Sequence, residues 1–259
     1  MQNQSEARET AQEWVFGRNA VLEALKSGRA ADTLFWARGE TGGSVGAILA
    51  LCREQGVVVK EADRRKLQRL CGSEAHQGVL LLAAAHAYAA LEDIFALAEL
   101  RGEPPFLLLC DEIEDPHNLG AMLRTAEAAG VHGVIVPKRR CAPLSMAVSK
   151  ASAGAVEYIP VARVSNLSQT MEELKRRGVW IYGADMQGLP YCGQRMQGAC
   201  ALVIGSEGKG LGRLVKERCD VLLSLPMRGK ITSLNASVAA GILLFEIAKG
   251  RQAADMSGS

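Results

Sequence analysis

The chain has 259 residues, which is long enough for two domains or one large one. Hydrophobic residues make up 48% and charged residues 22%, as is typical of a soluble globular protein, and the net charge of +2 does not by itself indicate a nucleic-acid partner. The longest apolar runs are far too short to cross a membrane, and no signal peptide opens the sequence. We therefore expect a cytoplasmic protein that has no membrane partner.

The seven cysteines are scattered and form no C-x-x-C pair, and the four histidines show no metal-ligand spacing. Most of the cysteines lie in apolar surroundings. We therefore predict reduced core thiols rather than disulfides, and we expect no bound metal.

Short strands and helices alternate through residues 13–86, after a polar segment, residues 1–12, that we expect to be a disordered tail. The alternation predicts a small α/β domain with its own core. Asp63 is placed to cap a short basic helix. That helix contains Arg64, Arg65, Lys66 and Arg69. Its cations fit a solvated helix face and an RNA contact equally well.

Residues 87–105 have no strand character and are predicted to be a linker that contains one helix, residues 91–100. The pair Pro104-Pro105 closes the linker, because proline cannot continue a helix and stiffens a connection. The rest of the chain is predicted to form a second domain, residues 106–252, followed by a tail, residues 253–259.

A continuous apolar run at residues 106–110 is typical of a strand buried on both faces of a parallel sheet. A polar loop follows, and then a helix to Ala129 whose apolar residues recur with helical spacing. At about 100° per residue, Arg124 falls opposite the apolar stripe, so we predict that it faces solvent, a ligand or another chain. The loop lies beyond the carboxyl end of the strand, where open α/β sheets bind ligands.

Further strands are predicted at residues 131–137, 158–161, 179–184 and 201–205, and helices at residues 145–155 and 167–177. The basic triplet 138–140 follows the first of these strands; such a triplet is usually a solvated face, but at the same rim as the polar loop it is also suited to contact phosphates. A glycine-rich loop, residues 206–212, matches neither G-x-x-x-x-G-K-[ST] nor G-x-G-x-x-G, so it is a weak signal by itself. Gly205 lets a ligand approach the backbone closely, and Glu207 offers an acceptor beside it.

The end of the chain combines a strand at residues 221–225, a polar turn through Gly229, and a helix at residues 236–248. Ser233 and Asn235 lie where this helix begins, and either is suited to cap it. The helix is apolar on nearly every face, which predicts that it is buried on all sides.

Three stretches of the second domain resemble, in order and spacing, the three motifs of the SpoU (TrmH) class of RNA ribose 2′-O-methyltransferases, in the SPOUT superfamily. They read DPHNLGAMLRTAEAAG, VIGSEGKGLG and LPMRGKITSLNASVAAG. The region from VHGVIVPKRR to VARVSNL resembles the bacterial branch that methylates a guanosine in 23S ribosomal RNA. The first domain, with GRNAVLEAL and HQGV, is similar to the substrate-binding domain of that branch, which resembles ribosomal protein L30e.

This resemblance implies an α/β fold: a C-terminal SPOUT domain with a parallel sheet and a deep trefoil knot, preceded by a small L30e-like α/β domain. It also implies that S-adenosyl-L-methionine binds between the loops after two strands and the start of the last helix. The cofactor-binding positions carried over are Gly205, Leu225, Met227 and Leu234. The catalytic and orienting positions carried over are Arg124, Asn118, Glu207, Ser233 and Asn235.

The resemblance assigns Arg124 to the chemistry at the ribose 2′-hydroxyl, a poor nucleophile that must lose its proton as it attacks the methyl sulfonium. A guanidinium is effectively always charged and is a poor base. We therefore favour Arg124 as a group that stabilises the developing alkoxide and holds a neighbouring phosphate. The resemblance further implies a homodimer formed through the knotted domain, in which a second chain completes each site.

Two other functions remain open. One is a transfer-RNA guanosine methyltransferase, although that group usually relies on terminal helical extensions instead of a separate first domain. The other is a catalytically idle RNA-binding or ribosome-assembly protein that has kept the fold. No position in the three motifs departs from the family pattern, which favours the enzyme.

Overall fold

The computed structural model describes residues 12–40 and 42–257, with side chains up to residue 252. Apart from Gln12, the predicted N-terminal tail lies outside the described residues. The chain divides into two compact units, Met1–Ala87 and Tyr88–Ser259. Among the described residues, none of the helices has both the length and the apolar character needed to cross a membrane.

The described part of the first unit is a four-stranded sheet with three helices. Its elements are β1 (Gln12–Phe16), α1 (Arg18–Lys26), β2 (Ala31–Ala37), α2 (Val45–Glu54), β3 (Val58–Ala62), α3 (Arg64–Cys71) and β4 (Val79–Ala84). The strand order is β1-β4-β2-β3, with β3 parallel to β2 and the other neighbours antiparallel. This arrangement agrees with the small α/β domain that the sequence predicts.

Helices α1 and α2 cover one face of this sheet. Val15 and Leu34, from two of its strands, share a buried cluster with Val21 of α1 and Ile48 of α2. Helix α3 begins as predicted, because the Asp63 carboxylate accepts a 2.6 Å hydrogen bond from the backbone N–H of Lys66. The N-terminus of α3 is thereby capped.

The second unit is a six-stranded sheet with helices on both faces. Its first elements are α4 (Leu91–Arg101), β5 (Phe106–Cys110), α5 (Pro116–Ala128), β6 (Gly133–Pro137), α6 (Met146–Ala151), a 3-10 turn (Ala155–Glu157) and β7 (Val161–Val164). The others are α7 (Leu167–Arg176), β8 (Trp180–Pro190), β9 (Cys200–Ile204), α8 (Arg213–Arg218), β10 (Val221–Ser224) and α9 (Ala236–Ser257). The order is β10-β8-β9-β5-β6-β7, and every neighbouring pair is parallel.

Strand β5 lies near the middle of the sheet, and all five of its residues are buried, as predicted. Its side chains alternate between two cores. Leu108 packs in one core with residues of α5 and α9, whereas Leu109 packs in the other with residues of α4 and α7. This sandwich fixes the carboxyl end of β5, where the polar loop of the first motif begins.

Helix α4 lies inside the segment 87–105 that the sequence assigns to a linker. It buries Ile94 and Ala98 in the second unit. Just before it, the Tyr88 hydroxyl accepts a hydrogen bond of 3.2 Å from the Leu144 backbone N–H, and Ala89 pairs with Ala162 of β7. The segment is therefore held by side-chain packing and by backbone pairing.

Several element boundaries differ from the predictions. The strand predicted at residues 158–161 is wrong, because a 3-10 turn occupies Ala155–Glu157 and the strand begins only at Val161. The predicted helix at residues 145–155 is shorter, and α8 was not predicted. Strand β8 continues to Pro190, where Gly188 lies so close to β10 that a Cβ there would be 2.5 Å from the Leu222 carbonyl carbon.

Helix α9 is not buried on all sides, so that prediction is wrong for a single chain. Val238, Ile242 and Phe245 are 50%, 37% and 51% exposed. Their spacing places them on one face of the helix, opposite the buried Leu243 and Ile247. A hydrophobic sequence cannot distinguish burial in its own core from burial against another surface. The helix also continues to Ser257, so residues 253–257 of the predicted tail are helical.

The seven cysteines are free, but not all of them are core thiols. Four are buried, two are half-buried, and Cys192 is exposed, which corrects the prediction at that position. Burial raises the pKa of the Cys52 and Cys200 thiols to about 11. In the part of the chain that the structure describes, no three His, Cys, Asp or Glu side chains are grouped so that they could hold a metal ion.

Candidate active site

Two loops of the second unit are joined directly beyond the carboxyl ends of the adjacent strands β5 and β9. The backbone N–H of Asp111 donates a 2.8 Å hydrogen bond to the Ile204 carbonyl at the end of β9. The Asp111 side chain, which is buried, accepts a 2.7 Å hydrogen bond from the backbone N–H of Gly212. Asp111 therefore holds the first-motif loop against the far end of the glycine loop.

Burial raises the pKa of the Asp111 carboxyl above its ordinary value of 3.8, although the bond from Gly212 acts in the opposite direction. The folded protein therefore holds this proton more tightly than the unfolded chain. It follows that the contribution of Asp111 to stability is present at low pH and decreases as the pH rises through the raised pKa.

We expect the stability of Asp111→Asn, relative to the wild type, to increase as the pH rises above the ordinary carboxyl range. Asparagine keeps an acceptor for the Gly212 N–H and carries no charge that must be buried. Urea unfolding at about pH 4 and about pH 7 measures the difference. The control Asp111→Ala also removes the charge, so it should follow the same pH trend, but it lacks an acceptor for the Gly212 N–H and should be about 1 kcal/mol less stable than Asp111→Asn at either pH. A relative stability of Asp111→Asn that decreases with pH would contradict this account.

The glycine loop closes on its own backbone. A Cβ on Gly205 would lie 2.2 Å from the carbonyl carbon of Gly210, which is closer than any side chain can tolerate. At the other side of the loop, the Gly210 N–H donates a 2.9 Å hydrogen bond to the Ser206 carbonyl, and Gly210 has a φ of +66°. Position 205 must therefore be glycine because the protein's own backbone passes so close to it. This requirement holds whether or not a ligand also approaches.

Three predicted site residues, from three different motifs, form one hydrogen-bonded cluster. The Asn118 side-chain amide donates a 3.0 Å bond to Glu207 Oε1, and the Asn235 amide donates a 2.9 Å bond to Asn118 Oδ1. The Asn235 amide also contacts Glu207 Oε1. Asn118 is buried, whereas Glu207 and Asn235 are exposed. We call these three residues the polar cluster.

Asn235 also caps helix α9. Its Oδ1 accepts hydrogen bonds from the backbone N–H of Ser237 at 2.9 Å and of Val238 at 3.3 Å. The orientation of the Asn235 amide toward Glu207 is therefore fixed by the start of the helix. Of the two predicted caps, Asn235 fills this role. Ser233 is exposed and makes no hydrogen bond with any residue that the structure describes.

A cleft of about 270 Å³ opens beside the polar cluster, between the first-motif loop and the glycine loop. Asn118 and Glu207 line it, together with Glu112, Ile113, Glu114, Asp115, Ser206, Gly208 and Lys209. The predicted cofactor positions Leu225, Met227 and Leu234 are not among its lining residues. They lie in the segment between β10 and α9, where Leu225 is half-buried and the other two are exposed.

Arg124 is exposed, as predicted, and is not part of the polar cluster. It follows Asn118 by six residues on α5, which places it about 9 Å along the helix and on a different face. Among the residues described by the structure, no carboxylate forms an ion pair with it. One chain therefore does not bring Arg124 together with the other predicted catalytic positions.

Comparisons with known proteins match both units. Residues 105–245 match the model of the SpoU rRNA Methylase family. Residues 14–89 match the model named RNA 2′-O ribose methyltransferase substrate binding. The chain belongs to the SpoU methylase family.

Relatives of this SpoU-family chain extend over nearly its whole length. YacO of Bacillus subtilis (strain 168), assigned to the TrmH family of tRNA/rRNA methyltransferases, is 49% identical over 241 residues, covering 92% of this chain and 96% of YacO. A protein with the same family assignment in Staphylococcus haemolyticus (strain JCSC1435) is 40% identical over 238 residues, which cover 92% and 95% of the two chains.

Solved structures share the fold. The AdoMet-bound rRNA methyltransferase of Sinorhizobium meliloti is 27% identical, with a TM-score of 0.75, and the match covers 93% of this chain and 88% of that one. The SpoU methyltransferase AviRb of Streptomyces viridochromogenes, at 24% identity, has a TM-score of 0.78 over 97% and 95% of the two chains. The SpoU-family chain therefore has the predicted SPOUT α/β-knot fold with an N-terminal substrate-binding domain.

Sequence reasoning missed the role of Asp111 within this family site. The available signal was a carboxylate directly after a fully buried strand, at the sheet edge where α/β proteins place functional groups. The partner of Asp111 is a backbone N–H that lies 101 residues away in the sequence, and a sequence pattern does not reveal such a bond.

Proposed function

We propose that the protein methylates the ribose 2′-hydroxyl of a guanosine in 23S ribosomal RNA. As a SpoU-family protein it is an RNA ribose 2′-O-methyltransferase that uses S-adenosylmethionine. The observation that carries the proposal is the polar cluster, in which residues of all three motifs meet beside the glycine loop. In this proposal residues 13–86 hold the RNA, residues 87–105 link the two domains, and residues 106–252 carry out the methyl transfer. The reaction would take place in the cytoplasm, where ribosomal RNA is found.

The segment between β10 and α9 fits a purine nucleoside bound beside the glycine loop. Met227 and Leu234 expose their apolar side chains, and Leu225 is only half-buried. Gly205 allows the tight loop that shapes the other wall. In the proposal, Gly205, Leu225, Met227 and Leu234 hold S-adenosylmethionine, which supplies an electrophilic methyl group on a sulfonium.

The polar residues then act on the ribose. The Asn118 and Asn235 amides fix the Glu207 carboxylate at the mouth of the cleft, so its second oxygen can accept a hydrogen bond from substrate or cofactor. Ser233 has no partner among the described residues and is available to orient the same ligands. Arg124 stabilises the charge that develops on the 2′-oxygen and holds an adjacent phosphate, because its guanidinium keeps its own proton. The proton of the 2′-hydroxyl would pass to that phosphate as the oxygen takes the methyl group.

A homodimer would complete the site. Helix α9 packs on α5, since a Cβ on Gly241 would be 3.5 Å from Thr125, the neighbour of Arg124. Val238, Ile242 and Phe245 form an exposed apolar stripe on the same helix, and the described residues of one chain do not cover it. Contiguous apolar surface of this kind marks interaction sites. We therefore propose that a second copy of the chain packs against this stripe. This packing would place Arg124 of one chain beside the cofactor loops of the other.

Phe245→Glu is expected to convert the dimer into a monomer and to abolish most methyl transfer. The change places a charge at the C-terminal end of the apolar stripe, on its largest side chain, where the charge would have to lose its water on association. Leu100→Glu is the matched control, because Leu100 is 84% exposed and lies on α4, away from the stripe. Sedimentation velocity should give dimers for the wild type and the control and monomers for Phe245→Glu. A monomeric, active wild type would contradict the proposed dimer.

The two alternatives are less well supported. The tRNA-modifying TrmH/SpoU enzyme of A. aeolicus, at 25% identity and a TM-score of 0.54, aligns with only 64% of this chain but with 86% of its own. The separate first unit of this chain thus favours a different RNA. A catalytically idle protein would have no need for the polar cluster together with an exposed Arg124 that pairs with no carboxylate among the described residues.

Mapping of ribose methylation tests the substrate. We expect cells that lack the gene to lose one 2′-O-methylguanosine in 23S ribosomal RNA. A plasmid copy of the wild-type gene should restore it, and a copy with Arg124→Ala should not. Loss of a 2′-O-methyl group from a transfer RNA instead would establish the first alternative. If all ribose methylation is unchanged, the enzyme proposal fails in favour of the idle protein.

A further inference from the structure

The first unit carries an aromatic surface on the face of its sheet that α1 and α2 leave uncovered. Side chains alternate along a strand, so Trp14 and Phe35 point away from the cluster that contains their neighbours Val15 and Leu34. Both rings are half-buried. Their centroids lie 5.9 Å apart in an edge-to-face arrangement. The two rings therefore form one partly exposed apolar platform.

Two lysines stand over this platform. Lys60 lies directly opposite Phe35 in the pairing of β2 with β3, and its Nζ is 5.8 Å from the centre of the Phe35 ring. Lys66, on α3, has its Nζ 5.3 Å from the same centre. Both lysines are exposed, and neither forms an ion pair within the described residues. Their long flexible stems let the ammonium groups move off the ring toward a ligand.

The cations around the platform differ from most others in the unit. Arg18 and Arg64 share Glu40, and Arg29 pairs with Glu13. By contrast, Arg65 and Arg69 on α3 are exposed like the two lysines, and no carboxylate among the residues described here pairs with them. Lys60 and Lys66 therefore place unpaired positive charge beside the aromatic rings, and Arg65 and Arg69 extend it along α3. Together, Trp14, Phe35, Lys60, Arg65, Lys66 and Arg69 form what we call the aromatic-basic surface.

We propose that the aromatic-basic surface binds a single-stranded segment of the substrate RNA. An unpaired base would stack on Phe35 and Trp14, and Lys60, Lys66 and the two arginines would contact the flanking phosphates. Aromatic rings can take up only bases that are unstacked from a duplex, and cations supply the phosphate contacts. This proposal rests on RNA being the substrate. An acidic protein partner would use the cations but would have no need for the rings.

Two variants of the full-length protein separate the charges from the rings. Lys60→Gln with Lys66→Gln removes two phosphate contacts, and Phe35→Leu removes the stacking surface while keeping an apolar side chain. Arg53→Gln is the control, because Arg53 is an exposed cation with no ion pair in the described part of the chain, and its helix α2 packs on the opposite face of the sheet. The probes are a labelled single-stranded RNA of about twelve nucleotides and an RNA duplex of the same length, a span within the site sizes of single-strand-binding modules.

The two variants should differ in their response to salt. Removal of two phosphate contacts should lower affinity for the single strand about tenfold and reduce the slope of log affinity against log salt by about 1.4. Phe35→Leu should lower the affinity for the single-stranded RNA by about tenfold or more. It should not change the slope of log affinity against log salt. Arg53→Gln should bind like the wild type. At saturating RNA, both variants should keep the wild-type kcat and differ from it only in KM for RNA.

Clear results would overturn the proposal. Equal binding of duplex and single strand, or Phe35→Leu binding like the wild type, would exclude stacking and leave an acidic partner or general electrostatics. Loss of affinity in Arg53→Gln as large as in the lysine variant would also refute a defined surface. If Phe35→Leu does not fold, comparison of the lysine variant with Arg53→Gln still shows whether the RNA binds at the aromatic-basic surface. RNA binding is measured without methyl transfer. Failure of the proposed RNA-binding surface can therefore be distinguished from failure of the proposed enzymatic function.

Discussion

Arg124→Ala is expected to lower kcat about 10²–10³-fold, which corresponds to about 3–4 kcal/mol of lost transition-state stabilisation. The melting temperature and the affinity for S-adenosylmethionine should not change. Arg124 is exposed and makes no ion pair with any described residue of its own chain, so folding does not depend on it. Calorimetry with S-adenosylhomocysteine measures the affinity of the cofactor site. Single-turnover methyl transfer measures the rate of the chemical step separately.

Two further variants define the role of Arg124. Arg124→Lys keeps a positive charge but cannot form a two-pronged contact with a phosphate, so it should recover only part of the rate. Arg213→Ala removes another exposed arginine, on α8, and should leave the rate unchanged. A fully active Arg124→Ala would exclude a catalytic role and would leave the polar cluster as the sole source of catalysis.

Gly205→Ala is expected to abolish measurable S-adenosylmethionine binding. The added Cβ would lie 2.2 Å from the Gly210 carbonyl carbon and 2.5 Å from the Leu211 nitrogen, both of which are backbone atoms that cannot rotate away. The loop must therefore move, at a cost of about 1–3 kcal/mol in stability. Gly208→Ala is the control in the same loop, because a Cβ there meets nothing within 4 Å. Retained cofactor affinity in Gly205→Ala would show that this loop is not part of the cofactor site.

The same two variants test whether a site is shared between chains. A dimer of one Arg124→Ala chain and one Gly205→Ala chain would contain one site with an intact arginine and an intact glycine loop, if each site uses both chains. Random mixing should then recover about a quarter of wild-type activity, because about half of the dimers are mixed and each has one good site. Mixed dimers with no activity would show that Arg124 acts only within its own chain.

The parts of the fold that the sequence predicts well have strong local causes. All five residues of β5 are apolar and buried, and Asp63 caps α3 through its own side chain. The outward position of Arg124 also follows from helical periodicity alone. Within the site, each residue of the polar cluster was predicted from its motif, since residues in all three motifs match one family.

Other features depend on contacts between distant segments, which local patterns do not encode. The hydrogen bonds among Asn118, Glu207 and Asn235 span 89 and 117 residues of sequence. The predicted strand at residues 158–161 is displaced because a 3-10 turn takes up the preceding residues. The exposed face of α9 is apolar enough to be predicted as core, and only the structure shows that the rest of its own unit does not cover it.

The identity of the methylated nucleoside tests the central claim most directly. Purified wild-type protein would be incubated with S-adenosylmethionine carrying a labelled methyl group and with 23S ribosomal RNA from cells that lack the gene. The RNA would then be digested to nucleosides and separated, with Arg124→Ala protein as the blank. We predict that the label elutes as 2′-O-methylguanosine and is absent from the blank. Label in a base-methylated nucleoside, or no label in any nucleoside, would contradict ribose 2′-O-methylation by this protein.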